Sequence, residues 1–323
     1  MKKIAVLTSG GDAPGMNACV RAVVRTANHF NIGVIGVRRG YQGMIENDLF
    51  PMTPSDVSNI IQRGGTVLKT ARSKDFMSVE GREKAMQNLR NAGVEGLVVI
   101  GGDGSFKGAL TLHKEFGLPV VGTPGTIDND LFGTEATIGY DTAINTVVQA
   151  VDKIRDTANS HNRLFFVEVM GRDAGFIALR SGIACGAEAV LVPETETYTE
   201  ALMDKLQRGW NREKSSAIII VAEGDDSGGA EVLAKMVKER FPHFDTRVSI
   251  LGHMQRGGSP SAYDRVLASE LGAGAVKALL EGKTNVMIGR MHGQVVEVPF
   301  EKAVKHHRDI NKNLLELVYW LSE

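Results

Sequence analysis

Short apolar runs of strand length alternate with amphipathic stretches of helix length along the whole chain. The predicted strands are Ile4–Thr8, Val34–Val37, Gly96–Ile100, Pro119–Gly122, Leu164–Val169, Ala189–Val192, Ala217–Ala222 and Arg247–Leu251. The predicted helices cover residues 16–29, 80–92, 105–116, 140–159, 174–184, 199–211, 229–241 and 261–281. Continuously apolar strands between helices are typical of parallel sheets that are covered on both faces. The pattern therefore predicts a doubly wound α/β fold.

Turns and glycine-rich stretches indicate how this pattern is organised. The turn-rich stretch Gly289–Gly293 separates two apolar runs, which predicts a hairpin. No low-complexity linker divides the chain, and a boundary near Gly139 is expected because the glycine-rich loop 123–137 ends there. The motif at 252–260 is similar in glycine content to the early motifs. We therefore expect the chain to cross between domains more than once.

Composition sharpens this picture mainly through glycine. A chain of 323 residues corresponds to about two domains, and 43% hydrophobic residues exclude a disordered chain. There are 37 glycines against 9 prolines, where average usage of roughly 7% predicts about 23. The excess has no three-residue period, which excludes collagen. Many glycines must therefore lie where the backbone turns sharply or approaches a ligand closely.

Charge and cysteine content exclude several classes of protein. The formal net charge is −1, so nothing global attracts nucleic acid or an anionic membrane. Cys19 and Cys185 stand beside small apolar residues, which indicates buried thiols rather than a disulfide or a zinc site. The run Ile4–Leu7 is too short for a signal peptide, and Ala217–Ala222 is too short to span a bilayer. We expect a soluble, cytoplasmic protein.

Glycine-rich segments follow the strands, where open parallel sheets bind their ligands. The first is Thr8–Asn17, and backbone N–H groups at such a helix start can hold phosphate. Met16 and Asn17 stand where a Walker A loop needs lysine and serine or threonine, so a P-loop NTPase is rejected. The dinucleotide pattern of spaced glycines fails at the same place. A tight strand–helix turn without a ligand remains the alternative.

The second segment, Gly101–Ser105, places an aspartate between glycines at a strand end. Gly102 and Gly104 leave room for a phosphate, and the Asp103 carboxylate can hold Mg²⁺, which typically binds one or two carboxylates and keeps several waters. Ser105 is predicted to cap the following helix. Alone, this motif occurs in kinases of several substrate classes.

The third segment, Pro124–Asp130, carries two carboxylates two residues apart. In an extended segment, Asp128 and Asp130 project to the same side. One carboxylate can then orient or deprotonate a hydroxyl while the other binds a metal, which suits phosphoryl transfer. An Asx-type turn held by its own side chains is the alternative.

The fourth and fifth segments, Met170–Gly175 and Gly252–Pro260, each place an arginine among glycines just past a strand. Arg172 and Arg256 are suited to bidentate phosphate binding. A lone arginine is usually a solvated surface group, but two in strand-end loops favour a binding role.

Together, these motifs resemble the bacterial-type ATP-dependent 6-phosphofructokinase family in order and spacing, over essentially the whole chain. The resemblance implies two Rossmann-like three-layer domains with mainly parallel sheets and an active site in the cleft between them. Residues 1–139 plus 253–305 would bind ATP, and residues 140–252 plus 306–323 would bind fructose 6-phosphate. The implied reaction, the committed step of glycolysis, moves the ATP γ-phosphoryl group to the 1-hydroxyl of fructose 6-phosphate.

The resemblance also implies a role for individual residues. The catalytic set would be Gly11, Arg72, Thr126, Asp128 and Arg172, with Asp128 as the base. The nucleotide set would be Gly11, Tyr41, Arg72, Ser73, Gly102, Asp103, Gly104, Ser105 and Gly108, and Mg²⁺ would lie at Asp103 and Asp130. The sugar phosphate would meet Thr126, Asp128, Asp130, Arg163, Met170, Gly171, Arg172, Glu223, Arg247, His253 and Arg256.

Two arginines imply an oligomer. Arg163 and Arg247 match arginines that the family lends to a neighbouring subunit, so a homotetramer with shared active sites is implied. Because both substrates are strongly anionic and the net charge is −1, a concentrated set of arginines is what such a site requires.

The sequence departs from the family in two regions. On the adenine side, Ser73, Met77 and Lys107 replace the usual residues, which leaves nucleotide preference open. The matching effector positions are Arg21, Arg25, Arg155, Gly186, Glu188, Arg212 and Lys214. The departures there are Pro54, Asn59, Ser215 and Ser216, where relatives carry charged or basic residues. We therefore expect control by ADP or phosphoenolpyruvate to be weakened or altered.

Two glycines indicate the phosphoryl donor. Gly104 and Gly125 match the branch that uses ATP, whereas relatives that use pyrophosphate carry aspartate and lysine there. Two alternatives remain at this point. NAD kinases and lipid kinases share the Gly-Gly-Asp-Gly motif but not the later loops, and a non-catalytic sugar-phosphate or nucleotide sensor would not need Asp103, Thr126 and Asp128.

Overall fold

The computed structural model describes residues 1–161, 163–211, 216–305 and 308–322. Its strands are β1 Lys3–Thr8, β2 Gly33–Val37, β3 Leu49–Met52, β4 Gly96–Gly101, β5 Val120–Pro124, β6 Arg163–Val169, β7 Ala189–Leu191, β8 Ala217–Ala222, β9 Asp245–Ile250, β10 Val286–Met291 and β11 Gln294–Pro299. Its helices are α1 Met16–His29, α2 Gly40–Glu46, α3 Val79–Asn91, α4 Asp103–Phe116, α5 Tyr140–His161, α6 Phe176–Ala184, α7 Thr199–Asn211, α8 Ala230–Arg240, α9 Ala262–Leu280, α10 Phe300–Ala303 and α11 Lys312–Leu321. Short 3₁₀ helices cover Asp75–Met77 and Gly252–Arg256.

The first structural unit is built on a seven-stranded sheet with the order β11-β10-β5-β4-β1-β2-β3. It comprises Met1–Ile127, Leu131–Thr142 and Arg256–Arg308. The strands from β10 to β2 run parallel, and β11 and β3 pair antiparallel at the two edges. The carboxyl ends of the parallel strands therefore lie along one edge of the sheet, where the glycine-rich loops begin.

Side-chain alternation along these strands covers both faces of the sheet. Ala5 and Leu7 of β1 face a buried cluster that includes side chains of α2, α3 and α4. Ile4 and Val6 are equally buried and point to the opposite face, because successive strand residues alternate. There α1 packs against α9, and α9 packs on β5. This makes the first unit a three-layer arrangement.

The second unit is built on a four-stranded parallel sheet with the order β7-β8-β6-β9. It comprises Asp128–Asp130, Ala143–Gln255 and Asp309–Glu323, of which residues 128–130, 143–161, 163–211, 216–255 and 309–322 are described. One face packs against α7 and α8 through a buried cluster that includes Leu164 and Phe166 of β6. On the other side, α6 packs on β7 and β8, and α11 packs on α6 and β7.

The predicted α/β class and mainly parallel sheets are confirmed. Each predicted strand and helix is present, with ends that differ by a few residues; β5, for example, runs to Pro124 rather than Gly122. The predicted hairpin is β10–β11, which turns at His292 and Gly293. The sequence pattern did not predict α2, β3, α10 and α11. The lengths of α2, β3 and α10, at most seven residues, give little periodic signal.

The ends of the two structural units lie close to the expected domain boundaries. The expected ends at residues 139, 252 and 305 each lie three residues before the unit ends at Thr142, Gln255 and Arg308. The segment Asp128–Asp130, expected in the first domain, groups with the second unit. Within the described ranges, no helix is both long and apolar enough to cross a membrane. Both cysteines are free and buried, as predicted.

Candidate active site

The first glycine-rich loop joins β1 to α1 without a side-chain cap. Gly15, at the N-cap of α1, has φ 110°, a conformation that a side chain would strain. Gly11 serves a different purpose, because a Cβ there would lie 2.5 Å from Nη1 of Arg256. The same Nη1 donates a hydrogen bond to the carbonyl of Asp12 at 3.3 Å. The structure thus brings the predicted residues Gly11 and Arg256 into contact.

The second loop starts α4 earlier than the sequence predicted. The helix begins at Asp103, with Gly102 as an N-cap that makes no side-chain hydrogen bond. The prediction that Ser105 caps this helix is therefore wrong, since Ser105 lies inside the first turn. A Cβ on Gly102 would meet Thr126 Cβ at 3.7 Å, and a Cβ on Gly104 would meet nothing within 4 Å. Packing within the chain does not require either glycine, so both leave space for a ligand.

Asp103 has the environment of a cation ligand. Its Oδ2 pairs with Lys107 Nζ at 2.6 Å on the same helix. Its Oδ1 is buried and has no hydrogen-bond partner among the residues that the structure describes. An orphaned carboxylate oxygen at a strand end fits a divalent cation that takes its remaining ligands from phosphate and water. No cluster of three or more metal-ligating side chains occurs in the described ranges.

Tyr41, which was predicted to bind the nucleotide, is buried and packs beneath the second glycine-rich loop. Its ring stacks on Phe76 with centroids 4.1 Å apart, and its hydroxyl donates to the carbonyl of Ser105 at 2.5 Å. Burial raises the pKa of Tyr41, so the hydroxyl keeps its proton. A Cβ on Gly108 would meet the Tyr41 ring at 3.0 Å and the Phe76 ring at 3.2 Å. The pair therefore packs beneath Gly108.

The third loop is pinned to the end of β4. The amide of Gly125 donates to the carbonyl of Gly101 at 2.9 Å, and Thr137 Oγ1 donates to the carbonyl of Thr126 at 2.6 Å. Asn129 has φ 55°, in the left-handed region. The expectation that Asp128 and Asp130 project to one side of an extended segment is therefore wrong, because Asn129 interrupts the extended backbone. Asp128 is buried and Asp130 is half-buried.

Asp128 faces an arginine of the fourth loop. Arg172 Nε lies 3.6 Å from Asp128 Oδ2, and the Arg172 side chain is 64% exposed while that of Asp128 is 4% exposed. Arg172 has φ 53° and Gly171 has φ 150°. Glu223 Oε1 holds this turn by accepting from the amides of Gly171 at 3.3 Å and Arg172 at 2.8 Å. The Glu223 carboxylate, expected to meet sugar hydroxyls, also fixes the backbone that aims Arg172.

A glutamine that the sequence analysis did not assign joins the fourth and fifth loops. Gln255 is fully buried, its Oε1 accepts from the Met170 amide at 3.2 Å, and its Nε2 donates to the Gly252 carbonyl at 3.0 Å. His253 lies in the same 3₁₀ turn and is exposed. A glutamine inside a glycine-rich motif was the available signal, but its long-range partner was not readable from the sequence.

The two arginines that the resemblance assigns to a neighbouring subunit meet on one carboxylate. Arg163 Nε lies 2.7 Å from Asp245 Oδ2, and Arg247 Nη1 lies 2.5 Å from Asp245 Oδ1. The parallel pairing of β6 with β9 places Arg163 opposite Asp245. Asp245 therefore holds both guanidinium groups at one edge of the second sheet.

The candidate effector residues are only partly described. Arg21 and Arg25 lie one turn apart on α1, and Arg25 is exposed. Arg155 donates to the carbonyls of Cys185 and Gly186 at the end of α6. Glu188 precedes β7, and its amide donates to the carbonyl of Ile218 at 2.8 Å. Arg212 and Lys214 lie outside the described residues.

A buried aspartate beyond the predicted site holds the turn that follows the third loop. Asp264 Oδ1 accepts from the Gly139 amide at 2.9 Å, and Oδ2 accepts from the Thr142 amide at 2.8 Å and the Thr142 hydroxyl at 2.5 Å. Burial raises the pKa of Asp264 to about 6, against the opposing effect of these donors. The pattern around residue 264 gave no sign of this role.

Comparison with known proteins gives a consistent result. A family model described as Phosphofructokinase matches residues 3–279. The chain is 53% identical over 322 residues to ATP-dependent 6-phosphofructokinase 2 of Bacteroides thetaiotaomicron, covering 100% of this chain and 99% of that protein. It is 56% identical over 317 residues to ATP-dependent 6-phosphofructokinase 1 of Thermus thermophilus, covering 98% of each. The structure of phosphofructokinase from Saccharomyces cerevisiae matches with a TM-score of 0.89 and 39% identity, over 100% of this chain and 47% of the yeast chain.

Proposed function

Because the chain belongs to the phosphofructokinase family, we propose that it acts as an ATP-dependent 6-phosphofructokinase. It transfers the γ-phosphoryl group of ATP to the 1-hydroxyl of fructose 6-phosphate. The products are fructose 1,6-bisphosphate and ADP. The observation that carries the proposal is the buried Asp128 carboxylate, with the exposed Arg172 guanidinium 3.6 Å away.

Asp128 is the proposed base. In this role it accepts the proton of the sugar 1-hydroxyl as that oxygen bonds to the γ-phosphorus, while the bond from the γ-phosphorus to the β–γ bridging oxygen breaks and ADP leaves. Arg172 lies 3.6 Å from Asp128 before the transfer, and its exposure leaves it able to contact phosphoryl oxygens as charge develops. Thr126, buried beside Gly102, is proposed to contact the transferring group.

The arginines supply the remaining charge neutralisation. Arg72 is proposed to contact the transferring phosphoryl group, and Arg256 the sugar phosphate, with Gly11 giving Arg256 its room. Met170, Gly171, Glu223 and His253 complete the proposed sugar-phosphate set. Arg163 and Arg247 would complete a neighbouring subunit's site in a homotetramer, and their shared contact with Asp245 keeps them together for that purpose.

Mg²⁺ is the proposed cofactor, with Asp103 and Asp130 as the protein ligands. When bound it would neutralise charge on the nucleotide phosphates. The orphaned Oδ1 of Asp103 supports this assignment. Asn129, between the two aspartates, has φ 55°, and we assign the two carboxylates different roles, with Asp128 as the base and Asp130 as a metal ligand.

ATP is the donor rather than pyrophosphate. The open space at Gly104 supports this, because a carboxylate at that position would stand next to Asp103 and repel the α-phosphate.

We further propose a cytoplasmic location, because the reaction belongs to glycolysis. ADP and phosphoenolpyruvate are proposed to act weakly, since Pro54, Asn59, Ser215 and Ser216 replace charged or basic positions of the effector site.

A coupled assay tests the function directly. Fructose 1,6-bisphosphate is cleaved by added aldolase, and its appearance is followed with ATP or with pyrophosphate as the only donor. Turnover with ATP alone supports the proposal. Robust turnover with pyrophosphate in the absence of ATP would exclude the donor assignment, and no turnover with either donor would favour a non-catalytic sensor.

The same assay tests regulation. Rates against fructose 6-phosphate are compared with and without ADP and phosphoenolpyruvate. Each lost charge-assisted contact weakens an effector by about 1.5–3 kcal/mol, so we expect small effects at low effector concentration. Strong sigmoidality that low ADP relieves would contradict the proposal.

A further inference from the structure

The proposed catalytic residue Arg72 lies near the end of a long irregular segment. Residues 53–74 contain neither helix nor strand. A segment of this length has no internal ladder of backbone hydrogen bonds, so its shape depends on contacts with the rest of the fold. The position of Arg72, which is exposed, is therefore set by whatever anchors this segment.

Asn17 provides the strongest of these anchors. It lies in the first turn of α1 and is 1% exposed. Its Nδ2 donates to the carbonyl of Arg63 at 3.0 Å and to that of Gly64 at 3.2 Å. Its Oδ1 accepts from the amide of Val67 at 2.7 Å. One side chain thus satisfies three backbone groups of the segment, using both its donor and its acceptor.

Thr8 adds a second anchor at the other end of the same glycine-rich loop. Its Oγ1 donates to the carbonyl of Lys69 at 2.9 Å and lies 3.0 Å from Thr66 Oγ1. Leu68, between these positions, is fully buried, and its carbonyl accepts from the Arg39 amide at 2.8 Å. The segment is therefore fixed up to Lys69.

Ser73 fixes the segment again immediately after Arg72. Its Oγ donates to Gln42 Oε1 at 2.6 Å and accepts from the Phe76 amide at 3.2 Å. Arg72 thus stands in a short span between two anchored points. Asn17 holds the stretch 63–67 that leads into this span, so its loss loosens the approach to Arg72 while the Ser73 end stays in place.

We propose that Asn17 is a positioning residue for phosphoryl transfer, which holds segment 63–69 so that Arg72 meets the transferring phosphoryl group. The inference rests on the proposed role of Arg72. It gives the first glycine-rich motif two distinct roles, since Gly11 makes room for Arg256 and Asn17 aims Arg72. Asn17 stands where a Walker A loop has its magnesium-binding hydroxyl, yet its carboxamide bonds to this segment.

A double-mutant cycle tests the proposal. We expect Asn17→Ala to lower kcat by about 10- to 100-fold, because a displacement of about 1 Å at a catalytic group has that effect, with the KM for fructose 6-phosphate changed less than threefold. In an Arg72→Ala background, Asn17→Ala should lower kcat by less than a further threefold, since residues that act through one another are not additive. Asn17→Asp, which keeps the acceptor and loses both donors, should fall between Asn17→Ala and wild type.

Asn88 offers a matched control in the same unit. Its Nδ2 donates to the carbonyls of Met44 at 2.8 Å and Ile45 at 3.1 Å. Asn88→Ala removes an equivalent pair of bonds away from segment 63–69, so it should leave kcat within twofold of wild type. Equal losses of kcat in Asn17→Ala and Asn88→Ala would overturn the proposal, as would an unchanged Asn17 effect in the Arg72→Ala background or wild-type kcat in Arg72→Ala itself.

Hydrogen exchange gives a readout that does not depend on turnover. We expect exchange of the amides in 63–72 to rise at least tenfold in Asn17→Ala and to stay at the wild-type rate in Asn88→Ala. Unchanged exchange in Asn17→Ala would show that Asn17 is not the anchor and would overturn the inference. If wild type fails to turn over fructose 6-phosphate, the proposed function fails instead, and the exchange result still decides the anchor.

Discussion

Because Gly11 lies against Arg256, adding one methyl group at Gly11 should weaken substrate binding without lowering the stability of the fold. In Gly11→Ala, the new Cβ would lie 2.5 Å from Nη1 and 3.0 Å from Cζ of Arg256, where ordinary contacts are 3.4–4 Å. Gly11 is not among the glycines with positive φ, so its backbone accepts alanine. The guanidinium must therefore retreat by about 1 Å.

The expected effect is large on binding and small on stability. The displaced group is the far end of a flexible side chain, and replacing glycine by alanine stabilises a compatible site by about 0.4–1 kcal/mol. The free energy of unfolding should stay within about 1 kcal/mol of wild type. Losing one charge-assisted phosphate contact costs about 1.5–3 kcal/mol, which raises the KM for fructose 6-phosphate by roughly 10- to 150-fold. Initial rates and urea unfolding measure the two quantities.

Gly33→Ala is the matched control, because its Cβ would meet Lys3 Cγ at 3.6 Å, an ordinary contact outside the site. It should leave both quantities near wild type. Gly11→Ala with a KM for fructose 6-phosphate within twofold of wild type would refute the reasoning. Unfolding at much lower urea would show that Gly11 is needed for packing instead.

Further variants test the charges around the site. The Gly104→Asp side chain would enter open space, so the variant should fold normally. Its carboxylate, next to Asp103, would repel the ATP phosphates and should raise the KM for ATP at least tenfold in initial-rate assays. An unchanged KM for ATP would contradict the assignment of ATP as the donor. Lys107→Met removes the ammonium 2.6 Å from Asp103, so the Mg²⁺ concentration at half-maximal rate should fall severalfold, and a rise would contradict competition for that carboxylate. Asp264→Asn cannot accept from both the Thr142 and the Gly139 groups and should unfold about 1–3 kcal/mol more easily at pH 5. The pKa of Asp264 is raised from 3.8 to about 6 in the folded protein. The free energy of unfolding of wild type, relative to that of this variant, should therefore fall by on the order of 2–3 kcal/mol as the pH rises from 4 to 7. Urea unfolding at each pH measures this difference, and a difference that grew with pH would contradict the prediction.

The sequence predicted the layers of the fold well because its apolar runs carry the signal locally. Each parallel strand from β1 to β9 coincides with such a run, and glycine marks the loops at the carboxyl ends of these strands except the loop after β7. Short elements such as β3 carry too few periods to be recognised. The bend at Asn129 was available in principle, since asparagine tolerates the left-handed region, but the two aspartates suggested an extended segment instead.

The site residues that the sequence analysis missed share one property. Asn17, Gln255 and Asp264 act through hydrogen bonds to backbone groups far away in the sequence, such as Gln255 with Met170. No local pattern encodes such a partner. Most residues proposed to contact substrates lie inside the glycine-rich motifs, although Arg72, Glu223 and Arg247 do not. The residues that hold the motifs in place became visible only in the folded structure.

We propose that this chain phosphorylates fructose 6-phosphate with Asp128 as the base. The most direct measurement compares wild type with Asp128→Ser in the aldolase-coupled assay, with the dissociation constant for fructose 6-phosphate measured by calorimetry. We expect kcat to fall by about 10²–10⁴ while sugar binding stays within a few fold. Near-normal turnover by Asp128→Ser would exclude Asp128 as the base.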